Sequence, residues 1–284
     1  MKTVQLPDGS AMPALGMGTW RLGEAGRTQA AEVAALRQAI ELGYRLFDTA
    51  EMYGEGGAET VLGQALRDAM AAGDVTRDEL FIVSKVYPHN AGRQGAVAAC
   101  ERSLARLGLD AIDLYLLHWR GEHPLAETLQ AFQTLQLAGR IRCWGVSNFD
   151  LADLQELERT EGGAGCAANQ VWYSPSRRGA EFDLLPWMRA HGMPLMAYSP
   201  IDQAALARHG ALAAVGRRLG ASAAQVALAW VLREDGVVAI PKAVEPTHLR
   251  DNLAAAGLAL DAAALTAIDR AFAPPRRKTA LAMN

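Results

Sequence analysis

Cysteine is scarce in this chain, with Cys100, Cys143 and Cys166 the three among 284 residues. They are too few and too scattered for a disulfide framework or a zinc-type spacing, which points to a reducing cytoplasm and to small buried hydrophobes. Long apolar runs are also missing. No stretch is long and charge-free enough to span a bilayer, and polar residues, Pro7 and Gly9 break the opening segment before a secretory core can develop. Neither sign of charge dominates: 28 Lys and Arg face 31 Asp and Glu, for a net charge of −3. That balance leaves no electrostatic footprint for nucleic acid or acidic lipid. The histidines, His89, His118, His123, His191, His209 and His248, do not fall in ligand spacings. No metal site is expected, and a metal-dependent barrel hydrolase is disfavoured.

What the chain does have is a repeat. Short β-branched or apolar runs alternate with longer Ala/Leu/Arg/Glu segments of helical spacing. Strand candidates fall at 15–19, 46–48, 80–86, 111–118, 141–147, 168–172, 194–198 and 237–242. Helix candidates include 28–42, 58–72, 93–107, 125–138 and 151–160, and Gly43, Gly73, Gly108 and Gly139 stand where helices stop. A doubly wound sheet would place a Gly-rich phosphate turn after its first strand, but Gly16-Met17-Gly18-Thr19-Trp20 continues into Trp and Arg. Eight βα units therefore predict an α/β fold, a (β/α)8 TIM barrel forming a single domain over residues 1–284. Ahead of it, short polar strands around Pro7-Asp8-Gly9-Ser10 predict an N-terminal β-hairpin. The Pro274-Pro275-Arg276-Arg277-Lys278 tail cannot continue a helix and is expected to run over the surface.

Ionisable residues at the C-terminal ends of barrel strands carry the chemistry of such folds. Asp48 closes the second strand, with Tyr53 five residues on; Lys85 ends the third strand and His118 the fourth. Each alone has an ordinary structural reading, as a helix cap, a loop filler, a snorkelling lysine or a core histidine. Together they converge on one rim. A lysine at the buried end of an apolar strand needs a partner, and Asp48 is next to it. A neighbouring ammonium would draw the phenol of Tyr53 down toward the working range and make it an acid catalyst. His118 would orient a carbonyl toward it. Glu51 and Glu55 read as solvated loop carboxylates. Trp20, Tyr87 and Trp119 on the same rim would wall an apolar substrate pocket beside His118, their alternative being barrel-top packing.

The segments Gly43-Tyr44-Arg45-Leu46-Phe47-Asp48-Thr49-Ala50, Ile141-Arg142-Cys143-Trp144-Gly145-Val146-Ser147-Asn148-Phe149 and Ile240-Pro241-Lys242 resemble the three signatures of the aldo-keto reductase superfamily, in order, from Pro13 to about Asn252. The loop segments Glu51-Met52-Tyr53 and Leu116-Leu117-His118-Trp119 and the closing Lys278-Thr279-Ala280-Leu281 are most similar to its bacterial methylglyoxal-reductase-like enzymes.

The resemblance implies an oxidoreductase that reduces small aldehydes and ketones with NADPH, Asp48, Tyr53, Lys85 and His118 being the catalytic tetrad. It implies that Ser147, Asn148 and Gln170 hold the nicotinamide carboxamide, with Asp48 also at the cofactor, and that Tyr198 stacks on the ring. Ser199, Pro200 and Gln203 would follow the pyrophosphate, and Gly18 and Thr19 would complete the seat. Ile240, Lys242, Ala243, His248 and Asn252 would lie toward the adenosine. There the sequence departs from many relatives, which carry Lys-Ser and an Arg where this chain has Lys242-Ala243 and His248; dual use of NADH is the competing expectation. A monomer is implied as well. The short basic tail suggests an open site for small aldehydes. The competing class is a nicotinamide-binding sensor or auxiliary subunit with little turnover, which would have no need of an intact tetrad.

Overall fold

The computed structural model describes residues 2–24 and 28–283. Strands β1 (Thr3–Gln5) and β2 (Ala11–Pro13) form an antiparallel hairpin, in which Ser10 N donates to Asp8 Oδ1 at 2.9 Å and Gly9 takes the left-handed φ of 84° that the turn requires. The βα alternation follows: β3 (Met17–Gly18), α1 (Gln29–Glu41), β4 (Leu46–Asp48), α2 (Gly57–Ala72), β5 (Phe81–Val86), α3 (Arg93–Leu107), β6 (Ile112–Leu117), α4 (Leu125–Leu137), β7 (Ile141–Ser147) and α5 (Leu151–Arg159). The second half holds β8 (Asn169–Trp172), α6 (Leu184–Ala190), β9 (Leu195–Tyr198), α7 (Gly210–Leu219), α8 (Ala223–Leu232), β10 (Val237–Ala239), α9 (Pro246–Ala255) and α10 (Ala262–Ala271).

Strands β3 to β10 pair in parallel in chain order. Leu15 bridges to Ala239, Gly16 N donates to Ala239 O at 2.9 Å, and Ala239 N donates to Ala14 O at 2.9 Å. Those bonds join the first barrel strand to the last and close the expected (β/α)8 barrel. The sequence candidates overran the paired strands mainly at their ends: 237–242 shortens to Val237–Ala239, and 111–118 to Ile112–Leu117. The extra residues are the extended chain leaving each strand toward the rim.

Alternation along the strands decides which side chains fill the barrel. Leu116 of β6 faces Gly145 of β7, where an added Cβ would stand 2.9 Å from the leucine side chain and 2.5 Å from Ala168 O. On the opposite parity, Tyr115 and Trp144 turn outward onto Phe132 of α4, at ring separations of 5.8 and 5.6 Å. The hairpin lies at the N-terminal end, where Asp8 meets Cys143 (3.0 Å) and Lys2 meets Asp235 (3.0 Å). All three cysteines are buried, and burial pushes each thiol up to about 12, in keeping with a packing role. No helix among the described residues is long and apolar enough to cross a membrane.

Candidate active site

Strand parity gathers the polar residues. The partners Asp48 and Val83, Lys85 and Leu116, Leu116 and Gly145, Ser147 and Gln170, and Trp172 and Tyr198 stand side by side on neighbouring strands. Following that parity round the barrel puts Asp48, Lys85, Ser147, Gln170 and Tyr198 on its inner surface at the C-terminal end. Gln170 Nε2 donates to Asp48 Oδ1 at 2.7 Å, joining β8 to β4 across the interior.

Lys85 is fully buried. Its ammonium donates to Asp48 Oδ2 at 2.8 Å, to Thr49 O at 2.9 Å and to Tyr53 Oη at 3.2 Å, so all three of its protons have acceptors. Tyr53 opens the short turn Tyr53–Gly56 after β4 and packs edge-on against His118, with ring centroids 5.7 Å apart. His118 follows β6, and its Nδ1 is buried without a hydrogen-bond partner. Burial, assisted by the Lys85 charge, pushes the imidazole well below its usual 6.5, so it is neutral. Burial also lowers Lys85, against the pull of Asp48.

The expected downward shift of Tyr53 is not found. Burial, reinforced by the Asp48 carboxylate, holds the phenol well above its usual 10. Loss of solvent outweighs the ammonium because Lys85 already shares its charge with Asp48.

These groups open into a cleft of about 440 Å³. Of the residues picked from sequence, Gly18, Trp20, Asp48, Tyr53, His118, Trp119, Ser147, Asn148, Gln170, Tyr198, Ser199, Pro200, Gln203, Ile240 and Lys242 line it. Lys85 lies beneath its floor. Thr19 is buried and donates from N and Oγ1 to Asp48 O, supporting the strand. Tyr87 stands outside the cleft, edge-on to Trp119 at 5.9 Å, and so backs the aromatic wall instead of forming it. Ala243 and Asn252 are buried and His248 is exposed on α9, all three away from the lining.

Sequence reasoning missed Arg21, Met52, Ala204, Pro241 and Met283, which also line the cleft. Met52 and Pro241 adjoin residues already picked, but nothing local marks Met283, which arrives from the tail. That tail is anchored where Lys278 Nζ reaches both Asp150 and Asp183, the latter at 2.8 Å. Glu51 corrects another reading: it is buried, not solvated, and accepts from Tyr87 N at 2.7 Å. Glu55 is exposed, as expected.

The cleft wall is locally fixed. Asn148 holds a left-handed φ of 60°, with Nδ2 donating to His118 O and Ser147 Oγ (both 3.1 Å) while Oδ1 accepts from Tyr198 Oη at 2.9 Å. Asp202, Gln203 and Ala204 form a left-handed run, φ 49°, 50° and 73°, that bends the chain over the cleft. A half-buried phenol on a buried ammonium, a neutral imidazole and a rim of amides can deliver a proton to a polar atom bound among them.

The sequence model of the aldo/keto reductase family matches residues 14–273. The chain belongs to that family. It is similar to methylglyoxal reductase YeaE of Escherichia coli K12, at 49% identity over 99% of each chain. Its identity to glyoxal reductase of Bacillus subtilis is 36%, covering 88% of this chain and 85% of the relative. An aldo-keto reductase from Klebsiella pneumoniae, solved in complex with NADPH, superimposes at a TM-score of 0.94 with 47% identity, over 100% of this chain and 99% of that one.

Proposed function

We propose that this chain reduces small aldehydes and ketones such as methylglyoxal to alcohols, using NADPH, with Tyr53 as the general acid. The observation that carries this is the contact of Tyr53 Oη with Lys85 Nζ at 3.2 Å, under a cleft rimmed by neutral His118.

The donor set fits a reduced nicotinamide nucleotide. The amides of Asn148 and Gln170 and the hydroxyl of Ser147 gather beside the ring of Tyr198, and the cation of Lys242 lies elsewhere on the same cleft. When bound, NADPH supplies the hydride. His118 offers the carbonyl oxygen a neutral hydrogen-bond donor that orients it and stabilises the negative charge developing there. Tyr53, held above its usual pKa, arrives protonated and gives up its proton as negative charge grows on that oxygen. Lys85 then stabilises the phenolate across the 3.2 Å contact, so its effect falls on the transition state and not on the resting phenol. Asp48 keeps the ammonium in place, and Gln170 keeps Asp48 in place. Trp20 and Trp119 give the pocket an apolar wall suited to small carbonyl compounds.

The same reading makes the chain one domain acting as a monomer in the cytoplasm, without nucleic-acid or membrane partners. Lys242 provides charge for the 2′-phosphate of NADPH, although Ala243 and exposed His248 give no guanidinium fork, so NADH should serve as a weaker donor.

The purified chain should consume the reduced-nicotinamide absorbance with methylglyoxal, faster with NADPH than with NADH. Tight NADPH binding without turnover across a panel of small and aromatic aldehydes would favour a cofactor-bound sensor. A preference for steroids over methylglyoxal would remove the small-carbonyl assignment.

A further inference from the structure

Glu51 is a carboxylate that the chemistry above does not use, yet it is buried and fully engaged. Oε1 accepts from Tyr87 N at 2.7 Å and from Asn90 Nδ2 at 3.0 Å, and Oε2 faces the partly exposed guanidinium of Arg102 at 3.5 Å. The residue's own N–H donates to Lys85 O at 3.3 Å. Burying a carboxylate is costly unless donors meet it. Here the donors come from the segment after β5, while Glu51 itself sits two residues before Tyr53 in the segment after β4.

We propose that Glu51 is a positioning residue that ties the loop carrying the proton donor to the loop that backs the substrate wall. Its main-chain bond fixes the Tyr53 segment against Lys85. Its side chain fixes Tyr87, whose ring packs edge-on against Trp119, which in turn lies 4.9 Å from the His118 ring. One side chain thus sets the distance between the acid at Tyr53 and the wall that holds a carbonyl against it. The inference rests on the reading of Tyr53 as the acid. The function of Glu51 is geometric, because the half-exposed ion pair to Arg102 contributes little.

Two conservative variants separate geometry from charge. Glu51→Gln keeps the length and an acceptor oxygen for Tyr87 N; Glu51→Asp keeps the charge but is one methylene too short. In steady-state reduction of methylglyoxal, Glu51→Asp should lose about tenfold or more in kcat and raise KM for the carbonyl, with NADPH affinity unchanged. Glu51→Gln should stay within about fivefold of the parent. Hydrogen exchange at the Tyr87 amide should accelerate in Glu51→Asp and stay slow in Glu51→Gln. Parent activity in both variants, loss in Glu51→Gln, or an equally protected Tyr87 amide in Glu51→Asp would overturn the inference. A parent chain that does not turn over removes the reductase reading and this inference together, and that outcome is visible before any variant is made.

Discussion

The two ends of the cleft are built differently. At the deep end, Asp48, Lys85 and His118 are buried, and bonds of 2.7 to 3.2 Å tie Asp48 and Lys85 to each other and to Thr49, Tyr53 and Gln170. At the far end, Lys242 is half-buried, Ala243 offers no polar side chain, and His248 stands exposed outside the lining. On the proposed function, the difference follows from what each end has to control. Proton transfer depends on protonation state and on sub-ångström distance, so desolvation and fixed partners are needed there. Holding a charged phosphate requires mainly a cation within reach, which a looser surface arrangement can supply.

The largest effect that tests this contrast is expected at Lys85. Lys85→Met strands the buried Asp48 carboxylate and removes the cation beside Tyr53, so thermal or denaturant unfolding should show a loss of about 3–5 kcal/mol. Turnover should fall about 10²- to 10⁴-fold. A variant with parent stability and rate would show that the deep end is no more tightly coupled than the far one.

A smaller and different effect is expected at the far end. Lys242→Ala should raise KM for NADPH about ten- to a hundredfold through loss of a charge-assisted contact, with kcat and stability nearly unchanged. A drop in kcat instead would mean that the two ends are coupled.

How far the sequence could be read also divides along this line. Strand order, the hairpin and the rim residues Asp48, Lys85 and His118 follow from period-two alternation and from strand-end position, which are local rules, whereas Ser147, Gln170 and Tyr198 are legible only through the resemblance to aldo-keto reductases. Barrel closure through Leu15 and Ala239 is non-local, but eight βα units leave little else to do. What failed depended on burial, which no local pattern reports. Glu51 looked solvated because it lies in a polar loop; its donors come from Tyr87 and Asn90, more than thirty residues away. The direction of the Tyr53 shift was misjudged because proximity to Lys85 is legible and desolvation is not. Tyr87 reads as wall because it is an aromatic residue following a barrel strand at the rim, whereas the bond from its N–H to the Glu51 carboxylate sets it behind Trp119. Met283 carried no signal at all, since it depends on where the Lys278 anchor lays the tail.

The most direct test of the account is Tyr53→Phe, which removes one oxygen and leaves the Lys85–Asp48 pair in place. NADPH binding, followed by quenching of tryptophan fluorescence, should match the parent, while reduction of methylglyoxal falls about 10²- to 10⁴-fold. A Tyr53→Phe chain that binds NADPH and reduces methylglyoxal at the parent rate would contradict the assignment of Tyr53 as the acid.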